Sequence, residues 1–218
     1  MIKKDPKYNH TQEIYNSLTH LMGVVFAVIV FVLFLTYQIR YSIPFTRMHP
    51  FYIYVLTMFI VFLMSTIYHS RPLGSKIRRV CRVIDHSDIY LFVAGTYTPI
   101  CLLAISNQAI STGLIIAEYS LAIAGILVTV FGGLKHKSME IIAYIIYLIE
   151  GWALMFVYPF NQCLQFNVFI FILAGGIVYT VGAIAYAVGK KKIWFHTLFH
   201  CFIVVAAVIQ FVGIWNIL

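Results

Sequence analysis

Residues 14–39 read IYNSLTHLMGVVFAVIVFVLFLTYQI. No Asp, Glu, Lys or Arg interrupts this run, and about 20 consecutive apolar residues suffice to cross the hydrocarbon core of a bilayer. Lys3, Lys4 and Lys7 precede it, as in a secretory leader. The run is too long for a signal core, and no small-residue cleavage site follows. It reads as a retained first membrane span.

Six further apolar runs follow, at 49–69, 84–105, 109–132, 139–159, 166–188 and 193–217. Of the 218 residues, 62% are hydrophobic and 10% are charged, whereas a soluble domain carries roughly 25% charged residues. So much apolar surface must face lipid. The fold class is therefore an all-α integral membrane protein, a seven-transmembrane helix bundle. Residues 1–13 form an N-terminal cytoplasmic segment and 14–218 the membrane domain.

Lys and Arg set the orientation. With the N-terminus inside, all but Arg40 and Arg47 of the 15 Lys and Arg residues fall on the cytoplasmic side. The bias holds loop by loop and predicts N-in, C-out. The net charge of +8 is spread over these clusters, which argues against a nucleic-acid partner. Of the four cysteines, Cys101 and Cys201 fall within spans and Cys81 in a basic loop. Only Cys163 is expected outside, so no structural disulfide is implied.

Ionisable groups inside spans cost roughly 2.5–3.5 kcal/mol each on insertion scales and so point to function. His69 ends the second span with Ser65 one turn before it, Asp85 and Asp88 open the third, and His196 and His200 open the seventh. All lie at one level, near the inner face. Residues i and i+4 share a helical face, so His196 and His200 can hold one metal ion. His69 would complete three imidazoles, the donor set of a zinc site with an open position. Asp85 is the candidate to orient a ligand or take a proton, and Ser65 to hydrogen-bond nearby. The competing reading has each histidine interfacial, bonded to a carbonyl or a headgroup. The zincin signature H-E-x-x-H is absent, because Thr197 stands where its glutamate would be.

Other polar residues are less specific. Glu13, Asn16 and His20 lie on one face of the first span and either cap it or line the site. Glu118 and Glu150 sit inside spans four and five, where they pair with tyrosines or hydroxyls or face a cavity. His86 reads as structural or interfacial. Gly175, Gly176 and Gly182 suggest close packing of the sixth span, and Pro99 a kink in the third.

The segments EIYNSLTHLMG (13–23), MSTIYHS (64–70), IDHSDIYLFVAGTYTPI (84–100) and WFHTLFHCF (194–202) resemble the bacterial haemolysin III family. That family belongs with the progestin and adipoQ receptors and the alkaline ceramidases, and the resemblance runs from Glu13 to the seventh span. It implies a seven-helix fold with a cytoplasmic N-terminus and a zinc ion held by His69, His196 and His200. Asp85 and Ser65 fall on the superfamily's aspartate and serine. Many relatives carry glutamate after the first histidine of the last span, where this chain has Thr197. Asp88 falls on a variable position with no implied role. Relatives include ceramide amidases, and bacterial members are linked to haemolysis and to lipid homeostasis.

Three functions follow as expectations. One is a zinc-dependent hydrolase acting on a membrane lipid amide or ester. A second is a cytolytic, pore-forming protein, although no amphipathic segment suited to conversion is apparent. The third is a receptor or regulator with structural zinc. Histidines on two helices also fit haem, whereas no lysine lies within a span to form a retinal Schiff base. The oligomeric state is left open.

Overall fold

The computed structural model describes residues 9–133, 136–161, 164–189 and 194–218. Lys3, Lys4, Lys7, Lys135, Lys190, Lys191, Lys192 and Cys163 lie outside them. Among the described residues the chain forms seven long helices and no strand. They are α1 (His10–Arg40), α2 (Phe45–Ser70), α3 (Lys76–Pro99), α4 (Gln108–Val128), α5 (Lys137–Asn161), α6 (Phe166–Gly189) and α7 (Trp194–Trp215). All seven are long and apolar enough to cross a membrane. The fold class read from the sequence is the one observed.

Local chemistry starts the helices where polar residues meet apolar runs. Asn9 caps α1 in a reciprocal box. Its side chain accepts from the Gln12 amide at 2.9 Å, and the Gln12 side chain accepts from the Asn9 amide at 3.0 Å, leaving two first-turn donors satisfied. Ser75 caps α3 by accepting from the Arg78 amide at 3.1 Å. Asn107 caps α4 through the amides of Ala109 and Ile110. Pro99 ends the regular part of α3, and a π-helical segment, Ile100–Ala104, completes the crossing. A widened turn thus follows directly on Pro99, where the sequence suggests a kink.

One boundary needs correction. The third span was expected to begin at residue 84, with Cys81 in a basic loop. Instead α3 begins at Lys76, and Cys81 is a buried helical residue. Apolar run length marks what lipid tails touch, and in the first two turns of α3 it is Arg78, Cys81 and Arg82 that turn into the protein. Likewise α1 begins at His10, four residues before the apolar run, which brings Gln12 and Glu13 into its first turn.

Helices α1 and α2 form one tight pair and α6 and α7 another. Helix α7 packs on α1, α3 follows α2, and α4 and α5 extend from α3 to meet α6 only lightly. The core runs along the axis through Phe34, Phe51, Tyr54, Met58, Phe62 and Ile214, with Leu154 of α5 joining it. Phe34 stacks on Trp215 at 5.6 Å and tilts against Phe51 at 5.0 Å. The outer surface is apolar too: Met22, Ile39, Phe131, Phe156 and Ile184 all project outward, as lipid-facing positions do.

Between apolar helices there is no hydrophobic driving force in lipid, so close packing and hydrogen bonds hold the bundle. Ser17 of α1 bonds Ser70 of α2 at 2.9 Å. The Trp152 indole of α5 donates to Thr180 of α6 at 3.1 Å. Among the glycines expected to pack closely, Gly175 does so: a Cβ there would sit 2.3 Å from Cγ of Gln210 and 3.2 Å from the carbonyl oxygen of Ala206. Gly182 meets Phe202, whereas Gly176 faces open space. Gly175→Val should therefore destabilise the bundle by about 1–3 kcal/mol through overpacking. Gly176→Val should stay within about 0.5 kcal/mol of wild type. Thermal unfolding of the two purified variants side by side checks the difference.

Candidate metal centre

The last turn of α2, the first turns of α1 and α7 and the early turns of α3 meet at one end of the bundle. This end carries the basic residues Lys76 and Arg79. His69, His196 and His200 are 3%, 7% and 2% exposed, so all three imidazoles turn inward rather than toward headgroups. Each offers one ring nitrogen to a common point, with those atoms within 4.8 Å of one another. The Nε2 atoms of His196 and His200 lie 2.9 Å apart, as the i, i+4 spacing allows. The His69 ring centre is 4.8 Å from that of His200 and 5.4 Å from that of His196.

The His69 ring is fixed from behind. Its Nδ1 meets Oε2 of Glu13 at 2.6 Å, and a carboxylate acceptor there requires the proton on Nδ1. In the neutral ring this leaves the lone pair on Nε2, which is buried and has no hydrogen-bond partner. A carboxylate behind a ligating imidazole is the usual support of a metal site. The other oxygen of Glu13 is held by the Arg78 guanidinium. Arg78 is 0% exposed and also donates to the carbonyls of Tyr68 and Arg71 at 3.1 and 3.0 Å. Its guanidinium lies over the Tyr68 ring at 4.4 Å. Three helices, α1, α2 and α3, are thus tied through one carboxylate.

A neutral three-imidazole set with one nitrogen held free for coordination fits a zinc ion. The fit rests on the orphaned Nε2 of His69 and on the shared point of convergence.

Asp85 stands beside this set. Its polar neighbours are His86, His69 and Ser65, and its carboxylate contacts Nδ1 of His86 at 3.3 Å. Ser65 is 1% exposed, and its hydroxyl lies within reach of the Asp85 carboxylate. Asp88 is also buried, with neither carboxyl oxygen partnered, but it lies outside the convergent group.

The sequence reading left Glu13, Asn16 and His20 open between capping and lining the site. All three line it. Asn16 is 0% exposed and accepts a hydrogen bond from the Thr197 hydroxyl at 2.6 Å, fixing α7 against α1. His20 packs edge-on against His200, ring centres 4.0 Å apart. Arg78 was counted only as a cytoplasmic charge. The signal for Glu13 was its i, i+3, i+7 spacing with Asn16 and His20; Arg78 left no comparable trace.

Residues 8–211 match the family described as haemolysin-III related. The chain belongs to the haemolysin III family. The chain is similar to the hemolysin-3 of Bacillus cereus, 30% identical over 201 residues that make up 92% of this chain and 89% of that protein. It is likewise similar to the hemolysin-3 homolog of Bacillus subtilis (strain 168), 32% identical over 193 residues, or 88% of this chain and 87% of that one. As a haemolysin III protein, it holds the histidine cluster within the matched region.

Removing the carboxylate behind His69 should loosen the site and also cost the fold about 3–5 kcal/mol, because Arg78 is left buried without its counter-charge. Glu13→Gln should weaken zinc binding about 10- to 100-fold, the range typical for partners of metal ligands. Thr197→Val should leave affinity nearly unchanged, because the Thr197 hydroxyl bonds Asn16 rather than a histidine. A competition titration against a zinc chelator measures both.

Proposed function

We propose that this haemolysin III protein is a zinc-dependent hydrolase that cleaves an amide or ester bond of a membrane lipid. It works at the inner leaflet of a bacterial plasma membrane and so adjusts lipid composition. The observation that carries the reading is the buried convergence of His69, His196 and His200, with His69 fixed by Glu13. Buried titratable groups are expensive in a membrane and default to function.

His69, His196 and His200 would hold the ion. Zinc bound there supplies Lewis acidity, polarising the scissile carbonyl and bringing the pKa of water down to about 7. The other steps belong to the chain. Asp85 sits beside His69 and Ser65 and takes the proton from the attacking water, then returns it to the leaving amine or alkoxide. His86, 3.3 Å from Asp85, and the Ser65 hydroxyl orient that carboxylate. Glu13 and Arg78 keep the His69 lone pair on its working face. Lipid chains lie along the apolar outer surface, so a headgroup linkage reaches this level without leaving the bilayer.

Two alternatives have separate support. Both relatives carry hemolysin in their names, which favours a cytolytic output. Under the hydrolase reading, lysis follows from altered lipids. Leakage from dye-loaded liposomes, caused equally by wild type and by a variant lacking all three histidines, would favour a pore. The other alternative is a zinc-stabilised receptor or regulator without turnover, and Asp85 separates it from the enzyme.

The decisive experiment measures zinc content and ceramide or phospholipid hydrolysis in the same preparations. His196→Ala should lose both. Asp85→Asn should keep its zinc and lose about 10²- to 10⁴-fold in rate, the usual weight of a general base. Wild-type protein that carries no zinc after mild purification would refute the proposal. Zinc without any turnover would leave the receptor.

A further inference from the structure

Away from the histidines, α4 and α5 each carry one acid in mid-helix. Glu118 and Glu150 are both 0% exposed, and no oxygen of either carboxyl has a hydrogen-bond partner. They come from different helices into one pocket. Each lies within electrostatic reach of the other and of the Tyr97 hydroxyl. Such a pair cannot be a solvated acidic patch, because solvent does not touch it.

The surroundings supply no counterion. Helices α4 and α6 contain no Lys, Arg or His, and α3 has none after His86. The one basic residue of α5 is Lys137, at its first position. The groups that do face the pair are uncharged hydroxyls and a thiol. Tyr90 and Tyr147 approach Glu150, and Cys101 approaches Tyr97. Tyr119 of α4 is bonded to Thr98 at 2.9 Å. Tyr179 of α6 lies near Tyr147, Tyr54 and Phe92, with its hydroxyl unpartnered.

These hydroxyls are largely committed elsewhere. Tyr97 accepts from the Leu154 amide at 3.1 Å and donates to the Gly151 carbonyl at 3.4 Å. Tyr90 donates to the carbonyl of Ala143 at 3.1 Å. Two carboxylates in such a place would repel each other with nothing to offset either charge. A hard metal ion would need about six or more oxygen ligands, and the pocket has few to spare. A proton needs only the carboxyl itself.

We propose that Glu118 and Glu150 form a second binding site, distinct from the histidine centre, that binds protons at mid-membrane, one on each carboxyl. Each proton bonds one oxygen of its carboxylate covalently and leaves that group neutral. Each uptake adds one positive charge and each release removes it, so the site stores protons in an otherwise uncharged half of the bundle.

The test uses full-length protein in phospholipid vesicles at neutral pH. The infrared difference between wild type and Glu118→Gln/Glu150→Gln should show the carbonyl band of a protonated carboxylic acid in wild type. That band should shift in deuterium oxide and persist when sodium or calcium is added. Carboxylate bands alone, or loss of the acid band on adding either cation, overturn the proposal. If the double variant does not fold, wild type is treated with dicyclohexylcarbodiimide, which adds only to protonated carboxyls. Adducts mapped to Glu118 or Glu150 support the site, and their absence at both overturns it. Neither readout involves hydrolysis at the histidines, so the two proposals stand or fall separately.

Discussion

Glu13 is the carboxylate on which the histidine end of the bundle depends. One of its oxygens faces His69 and the other faces Arg78, so a single side chain joins α1, α2 and α3. The contact is deeply buried, with Arg78 0% exposed and Glu13 6% exposed. Breaking such a pair by removing one partner costs about 3–5 kcal/mol, because the survivor is left charged and dry. The pair itself is weak evidence of net stability, since desolvating both ions offsets most of their attraction. Its value lies in specificity: it fixes one tautomer and one ring orientation at His69.

That fixation matters because of how the other two imidazoles are arranged. His196 and His200 come from consecutive turns of one helix, so helical pitch already puts them on one face at neighbouring heights. His69 comes from another helix and has no such guarantee. Its ring could turn about its own side-chain bonds and present Nδ1 instead of Nε2. The carboxylate removes that freedom, and Arg78 removes the freedom of the carboxylate. Arg78 is itself positioned by two backbone carbonyls and the face of Tyr68. The order of constraint runs outward from the histidines into ordinary protein structure, as a preorganised site requires.

Much of this was legible in the sequence, and the boundary of legibility is physical. Seven apolar runs gave seven helices because lipid imposes length and composition on every crossing. The H-x-x-x-H of α7 and the terminal His69 of α2 were readable because helical pitch and span direction set their depth. Asp85 and Ser65 were read from the same depth argument and do stand together beside His69. Arg78 was missed for the opposite reason. An arginine in a basic stretch resembles any cytoplasmic charge, and only the path of α3 reveals that it points inward. The same stretch hid Cys81, because composition alone does not distinguish a basic loop from a helix buried against its neighbours.

Helix α3 is the hinge of this arrangement in a chemical sense. Its basic end supplies Arg78 and Asp85 to the histidine centre, and its other half supplies Tyr97 to the pocket of Glu118 and Glu150. It is also the least apolar span, with a mean hydropathy of 1.3 against 1.8 or more for the others, and the most buried. Polar side chains can occupy a span only where protein rather than lipid surrounds them. The helix wrapped most fully by its neighbours is therefore the one free to carry the polar groups, and both clusters draw on it. Its early turns can be basic and its later turns can carry threonines and tyrosines without either facing hydrocarbon. Burial of α3 by α2, α4 and α5 is thus the packing condition under which a mostly apolar bundle holds two polar sites.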